Sequence, residues 1–109
     1  MDFRGHLDLL LLSVLDAGPG HGYAVITALR DRSEGAFDLP EGTVYPALQR
    51  LERAGLVVSH WDEESPRRRR IYQLTAEGRR ARAAKKHQWR GFVVGVQAVI
   101  GPMTAGRTA

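Results

Sequence analysis

Two stretches of this 109-residue chain carry side chains suited to gripping a polyanion. The first is "GTVYPALQRLERAGLV" (42–57), where Thr43, Gln49, Arg50 and Arg53 share one side of a helical wheel with Pro46. Hydroxyl, amide and guanidinium groups are the types that read base edges and hold phosphates. The second is a run of four arginines, Arg67, Arg68, Arg69 and Arg70. Mutual repulsion makes such a run costly unless an anion neutralises it. The overall charge is divided to match. Residues 1–64 hold five Arg against eleven Asp and Glu, whereas residues 65–109 hold eleven Lys and Arg against Glu77 alone. The net charge of +4 conceals that asymmetry, which points to an anionic partner.

Other chemistries find little support. The chain has no cysteine, which excludes disulfides, thiolate metal sites and cysteine nucleophiles. His6, His21, His60 and His87 show no metal-ligand spacing, so no metal and no cofactor is expected. No glycine-rich phosphate loop, carboxylate pair or Ser-His pair marks an enzyme. The apolar runs "LLLLSVL" (9–15) and "FVVGVQAVI" (92–100) are too short to span a bilayer. Asp2, Asp8 and Asp16 around the first run argue against a secretory signal, so a core helix in a cytoplasmic protein is expected.

The elements that must position the basic residues follow in a simple order. Leu7 to Asp16 reads as a densely apolar helix ended by "AGPG", and His21 to Arg32 as a second helix with Tyr23, Ile26 and Leu29 at helical spacing. After the turn "SEGAFDLP" (33–40), the basic-faced helix runs to Ala54, with Val44, Leu48 and Leu51 as its apolar stripe and Gly55 as its stop. Pro46 allows two openings: Thr43 as N-cap with Pro46 in the first turn, or an opening turn from Pro40 with a break at Pro46. "LVVSHW" (56–61) and "RRIYQL" (69–74) suggest a hairpin joined by "DEESPRR". Thr75 is the expected N-cap of a last helix reaching about Ile100.

Helix, helix, helix, hairpin, helix is the order of a winged helix-turn-helix. The expected fold class is therefore mainly α with a β-hairpin wing, followed by a C-terminal dimerisation helix. Residues 1–74 would form the DNA-binding unit, 75–101 the dimerisation helix and 102–109 a disordered tail. In this arrangement the third helix enters the major groove of double-stranded DNA while the wing follows phosphates. Gln49 and Arg50 have the reach for adenine and guanine edges respectively. Thr43, Tyr45 and the helix N-terminus suit phosphates, and Tyr45 suits a core position equally.

The residues that carry this order also resemble the PadR family of transcriptional regulators. The resemblance covers roughly residues 3–90 and is most specific at His21-Gly22-Tyr23, Gly42-Thr43-Val44-Tyr45-Pro46 and Tyr72 to Gly78. It implies a winged-helix homodimer, built through the last helix, that represses by binding a pseudo-palindromic operator. The single last helix resembles the compact branch of the family. Pro66 and Arg68 stand where the family's wing commonly has Gly and Pro. His21 and Tyr23 join the DNA-binding candidates, although fixing the start of the second helix is the simpler role.

The last helix carries Trp89, Phe92, Val93, Val96 and Ile100 as one apolar stripe. Either it folds back on the first helix or it meets a second copy of the chain. The expectation is a homodimer in which Leu9 and Leu12 also take part, setting two recognition helices about one DNA turn apart. Trp89 is expected to stack a flat aromatic small-molecule effector, as the resemblance suggests. Two other functions fit the charge pattern: a winged-helix protein–protein adaptor for an acidic partner, and a basic membrane-surface binder. The second is disfavoured because Lys85, Lys86 and Arg90 precede the apolar run instead of flanking it.

Overall fold

A computed structural model describes residues 3–101. The elements are α1 (Phe3–Asp16), β1 (Gly20–His21), α2 (Gly22–Arg32), α3 (Glu41–Arg53), β2 (Val57–Trp61), β3 (Arg70–Leu74) and α4 (Ala76–Ile100). The tail expected over 102–109 lies outside the described residues. The architecture is mainly helical with one small antiparallel sheet, as the element order predicts.

The core is built from helical stripes. Leu7, Leu11, Leu12 and Leu15 of α1 meet Val25, Ile26 and Leu29 of α2 and Val44, Ala47, Leu48 and Leu51 of α3. Val57, Tyr72 and Leu74 close it from the sheet. Leu11, Leu12 and Leu48 have no exposed surface at all. Each such side chain contributes about 1.5–3 kcal/mol by leaving water. Leu12 therefore has nothing to offer a second chain, and its expected place in a dimer interface is corrected to the protomer's own core.

Three details differ from the sequence reading. First, the sheet has three strands in the order β1-β3-β2, because Gly20 and His21 pair with Tyr72 and Ile71. Two residues hold no periodicity, so this strand leaves no signal. Second, α1 begins at Phe3, a turn earlier than Leu7. Third, α3 opens after Pro40, whose carbonyl accepts from Thr43 N at 3.0 Å and Val44 N at 3.1 Å. Thr43 is therefore not the N-cap, and Pro46 lies inside an unbroken helix. Its ring lacks the N–H that the Gly42 carbonyl would have received. Both residues are exposed, so water can reach that carbonyl.

The ends of α3 and α4 are tied together. Gly55 (φ 80°) ends α3 with Leu56 N donating to Leu51 O at 3.0 Å and Gly55 N to Glu52 O at 3.0 Å, a Schellman closure. Thr75 caps α4 by accepting from Gly78 N at 3.0 Å, while its hydroxyl donates to Gly55 O at 2.8 Å. A Cβ at Gly78 would lie 2.1 Å from the Leu56 carbonyl oxygen, so only glycine fits there.

Candidate nucleic-acid interface

The outer side of α3 separates into two kinds of residue. Pro46, Gln49 and Arg53 are exposed, and Thr43 and Tyr45 are half-buried beside them. Arg50 behaves differently. Its Nη2 is paired with Asp8 Oδ1 of α1, and its side chain is only 27% exposed. The helical wheel explains this, because position 50 sits on the flank next to Ala47 and leans toward α1. Arg50 thus pins α3 to α1, while Gln49 and Arg53 face outward.

The wing follows from strand pairing. Directly opposed residues of β2 and β3 share a face, and on one face Val57–Leu74 and Ser59–Tyr72 are followed by Trp61–Arg70. Val57, Leu74 and Tyr72 are buried in the core. Further out, where the core ends, the same face becomes an indole and a guanidinium. Arg70 Nε donates to Ser59 Oγ at 2.8 Å, and its Nη2 reaches Ser59 O at 3.3 Å. The Arg68 and Arg70 guanidinium carbons lie 4.4 and 4.8 Å from the Trp61 ring centroid. Arg70 opens β3 and Arg68 lies two residues before it, the spacing that puts side chains on one side of an extended backbone. Beyond the strands, Asp62 N donates to Arg69 O at 2.8 Å and Asp62 Oδ1 accepts from Glu64 N at 3.1 Å, closing the wing tip.

Ion pairs among the described residues include Arg30–Asp31, Arg50–Asp8, Arg80–Glu77 and Arg82–Asp16. None involves Arg53 or the wing arginines. Five guanidinium groups on α3 and the wing therefore have no carboxylate partner among the described residues. This follows despite Asp62, Glu63 and Glu64 lying close in sequence.

A cleft of about 240 Å³ joins the two surfaces, lined by His21, Gly22, Tyr23, Tyr45, Gln49, Arg69, Arg70 and Tyr72. His21 holds the extended N-cap position of α2, and Tyr23 projects outward with 60% of its surface exposed. Gly22 is needed for a packing reason: a Cβ there would fall 2.1 Å from Tyr45 Cε1. The Tyr45 ring lies against bare backbone at the start of α2. Burial, the Glu41 carboxylate and Tyr72 all push the Tyr45 phenol above its ordinary pKa. Burial and Glu52 do the same for Tyr72, with Arg70 opposing. Tyr45 thus stays a neutral hydroxyl that can donate to an anion.

The far end of the molecule is apolar. Helix α4 runs antiparallel to α1, with Arg82 Nε donating to Ser13 Oγ at 3.1 Å and Arg82 paired with Asp16 at 3.7 Å. Seven residues on, Trp89 meets His6 edge-on at 4.9 Å and Phe92 at 5.6 Å. Trp89, Phe3, His6, Leu9, Leu10 and Phe37 line a cleft of about 230 Å³. The eleven residues from Arg90 to Ile100 continue for about 16 Å. Phe92 remains 45% and Ile100 68% exposed, with Val93 and Val96 half-buried. Within the stripe, Trp89 packs on His6 of α1 and Phe92 rests on Trp89, while Ile100 at the far end stays exposed.

Sequence reasoning missed the Asp8–Arg50 pair and the role of Trp61. The signal for Trp61 was available, since residues 59 and 61 stand opposite 72 and 70 once the hairpin register is known. Asp8 gave no comparable signal, because pairing between helices 42 residues apart depends on their crossing.

Three packed helices, a small sheet with a projecting basic hairpin and a long final helix define a winged helix-turn-helix regulator fold. Residues 11–84 match the Transcriptional regulator PadR-like family, and the chain belongs to it. It is similar to a transcriptional regulator from Clostridium thermocellum, at 30% identity and a TM-score of 0.83, covering 90% of this chain and 96% of that one. It is also similar to a PadR family transcription regulator from Clostridium difficile, at 37% identity and a TM-score of 0.73, covering 85% and 95% of the two chains. The transcriptional regulator Rv3488 of Mycobacterium tuberculosis is 40% identical over 52 residues, about half of each protein (48% of this chain, 49% of that one).

Proposed function

We propose that this protein is a homodimeric, sequence-specific DNA-binding repressor that a small flat aromatic effector releases from its operator. The observation that carries the reading is the set of guanidinium groups without carboxylate partners on α3 and the wing, flanking the exposed Gln49. Helix α3 enters the major groove with Gln49 reading a base edge, for which adenine is the matching partner. Tyr45, Thr43 and the start of α2 lie where backbone phosphates pass. Arg50 is committed to Asp8, so guanine reading falls instead to Arg53, the exposed guanidinium one turn on.

The exposed stripe of α4 supports a homodimer, since apolar surface of this extent beyond the protomer's core gains by burial against a second copy. A two-fold dimer requires a pseudo-palindromic operator. The cleft beside Trp89, apolar and edged by His6, supports a flat aromatic effector.

The test is salt-dependent binding to a duplex selected by the protein from a random pool. Log affinity against log salt should fall steeply, and changing Arg67, Arg68, Arg69 and Arg70 together to Ala should reduce that slope by about two to four units. An unchanged slope would refute a phosphate-binding wing. Retention of an acidic protein with no measurable DNA binding would favour the adaptor reading.

A further inference from the structure

We infer that Trp61 is a positioning residue for DNA binding: its indole holds Arg68 in place for a phosphate, while Arg70 braces the indole against the recognition helix. The inference rests on the DNA-binding reading above.

The four wing arginines are not equivalent. Arg70 is fixed by two hydrogen bonds to Ser59 and by the Trp61 ring, and it is half-buried. Ser59 in turn donates to Glu52 Oε2 of α3 at 2.8 Å. A chain of contacts therefore runs from α3 through Ser59 and Arg70 to Trp61. Arg68 stands at the end of that chain. Its guanidinium lies 4.4 Å from the indole centroid, its side chain is exposed, and no hydrogen bond or ion pair takes up its donors. The ring face attracts a cation without consuming any of its N–H groups. All five donors of Arg68 thus stay available to an anion.

Two positive charges held on one ring repel each other, and no carboxylate among the described residues pairs with either. Arg67 and Arg69 lie in the wing tip before β3 and have no such platform among the described residues. An unheld arginine loses its rotamer freedom when it binds a phosphate; Arg68 has lost much of that freedom beforehand. Trp61 therefore contributes to affinity through pre-organisation, although it carries no charge. The glutamate at the origin of the chain links the wing's posture to α3, so both parts meet DNA in one fixed relation.

The experiment compares wild type, Trp61→Ala, Trp61→Phe and Arg68→Ala on a fluorescein-labelled duplex selected by the wild-type protein, over a series of salt concentrations. Trp61 is 43% exposed and outside the core, so circular dichroism should show all four folded alike. Trp61→Ala should weaken binding about five- to tenfold with little change in salt slope, because the charges remain but must be ordered on binding. Arg68→Ala should lower the slope by close to one unit. Trp61→Phe, which keeps a ring face, should recover part of the loss. In a Trp89→Phe background Trp61 is the chain's remaining tryptophan, and its emission should change on Arg68→Ala in the absence of DNA.

Wild-type affinity that does not respond to salt would overturn the DNA-binding reading itself. Salt-dependent wild-type binding with Trp61→Ala indistinguishable from it would overturn this inference alone. A slope loss in Trp61→Ala equal to that of Arg68→Ala would also overturn it, since it would mean the arginine no longer reaches a phosphate at all.

Discussion

Helices α3 and α4 carry apolar stripes of the same helical period, and they meet opposite fates. Val44, Ala47, Leu48 and Leu51 of α3 are at most 2% exposed. On α4, Trp89, Phe92 and Ile100 keep 39%, 45% and 68% of their surface. Both stripes announce that a helix needs an apolar partner; neither announces where the partner is. For α3 the partner is α1 and α2, folded before it in the chain. For α4 the partner helix α1 begins at Phe3, and the far end of the stripe at Ile100 stays exposed. The polar faces differ in the same sense. On α3 the outward charges lack carboxylate partners, whereas near the start of α4 Arg80 and Arg82 are paired with Glu77 and Asp16.

The largest expected effect separates the two stripes directly. Leu48→Ala should cost about 2–5 kcal/mol of protomer stability, read from denaturant unfolding, because a filled core position becomes a cavity. Phe92→Asp with Val96→Asp should leave the protomer folded but yield monomers by sedimentation, with operator affinity lower by about a hundredfold or more as the second half-site is lost. A double mutant that stays dimeric would place the interface elsewhere. If it instead unfolded, the contrast between the two helices would collapse.

A smaller effect distinguishes neighbours on α3. Gln49→Ala should relax preference at a defined base position, at a cost of about 1–3 kcal/mol in binding, with stability unchanged. Arg50→Ala should do the reverse, lowering stability by about 1 kcal/mol through loss of the Asp8 pair while leaving the base preference intact. Binding-site selection and thermal melts on the same two variants check both. The same base shift in both variants would contradict the division of α3 into an outward face and an α1-facing flank.

The smallest effect is alkaline. The Tyr45 and Tyr72 phenols are raised above 10.0 in the folded chain, so the folded state holds those protons more tightly than the unfolded one. Their contribution is complete below about pH 10 and is lost as pH rises through the folded values. Stability measured by denaturant should decline above that pH in wild type, and less steeply in Tyr45→Phe. The absence of any difference would mean the phenol is less enclosed than its packing on Gly22 implies.

Much of this architecture was legible beforehand, and the gaps have physical reasons. Stripe periodicity located the four helices, Gly55 the end of α3, and Thr75 the start of α4. The hairpin was visible in two β-prone runs. The strand Gly20–His21 was not, because it exists only through pairing with β3. The opening of α3 was ambiguous because proline is tolerated early in a helix and costly within one, and an interior position is nonetheless what the fold adopts. The outward face of α3 was read as a single surface. Arg50 left that surface because it lies on the flank beside buried Ala47, where Asp8 of α1 takes up its guanidinium. Leu12 was offered to a partner because α1 is apolar nearly all round, and periodicity cannot rank the faces of such a helix.

The contact between Gly22 and Tyr45 constrains change over time as much as it positions helices today. A methyl group at residue 22 would occupy the space now filled by the ring of residue 45, at 2.1 Å. The two positions can therefore drift only together: a larger residue at 22 becomes acceptable when residue 45 is small, and a bulky ring at 45 is admissible only over glycine. Two short motifs, lying 23 positions apart in the chain, are thus bound by one steric condition. Alanine at position 22 should disable the protein as it stands and become tolerable beside a Tyr45→Ala replacement, leaving a regulator with its helices in place but without the phenol that faces the cleft.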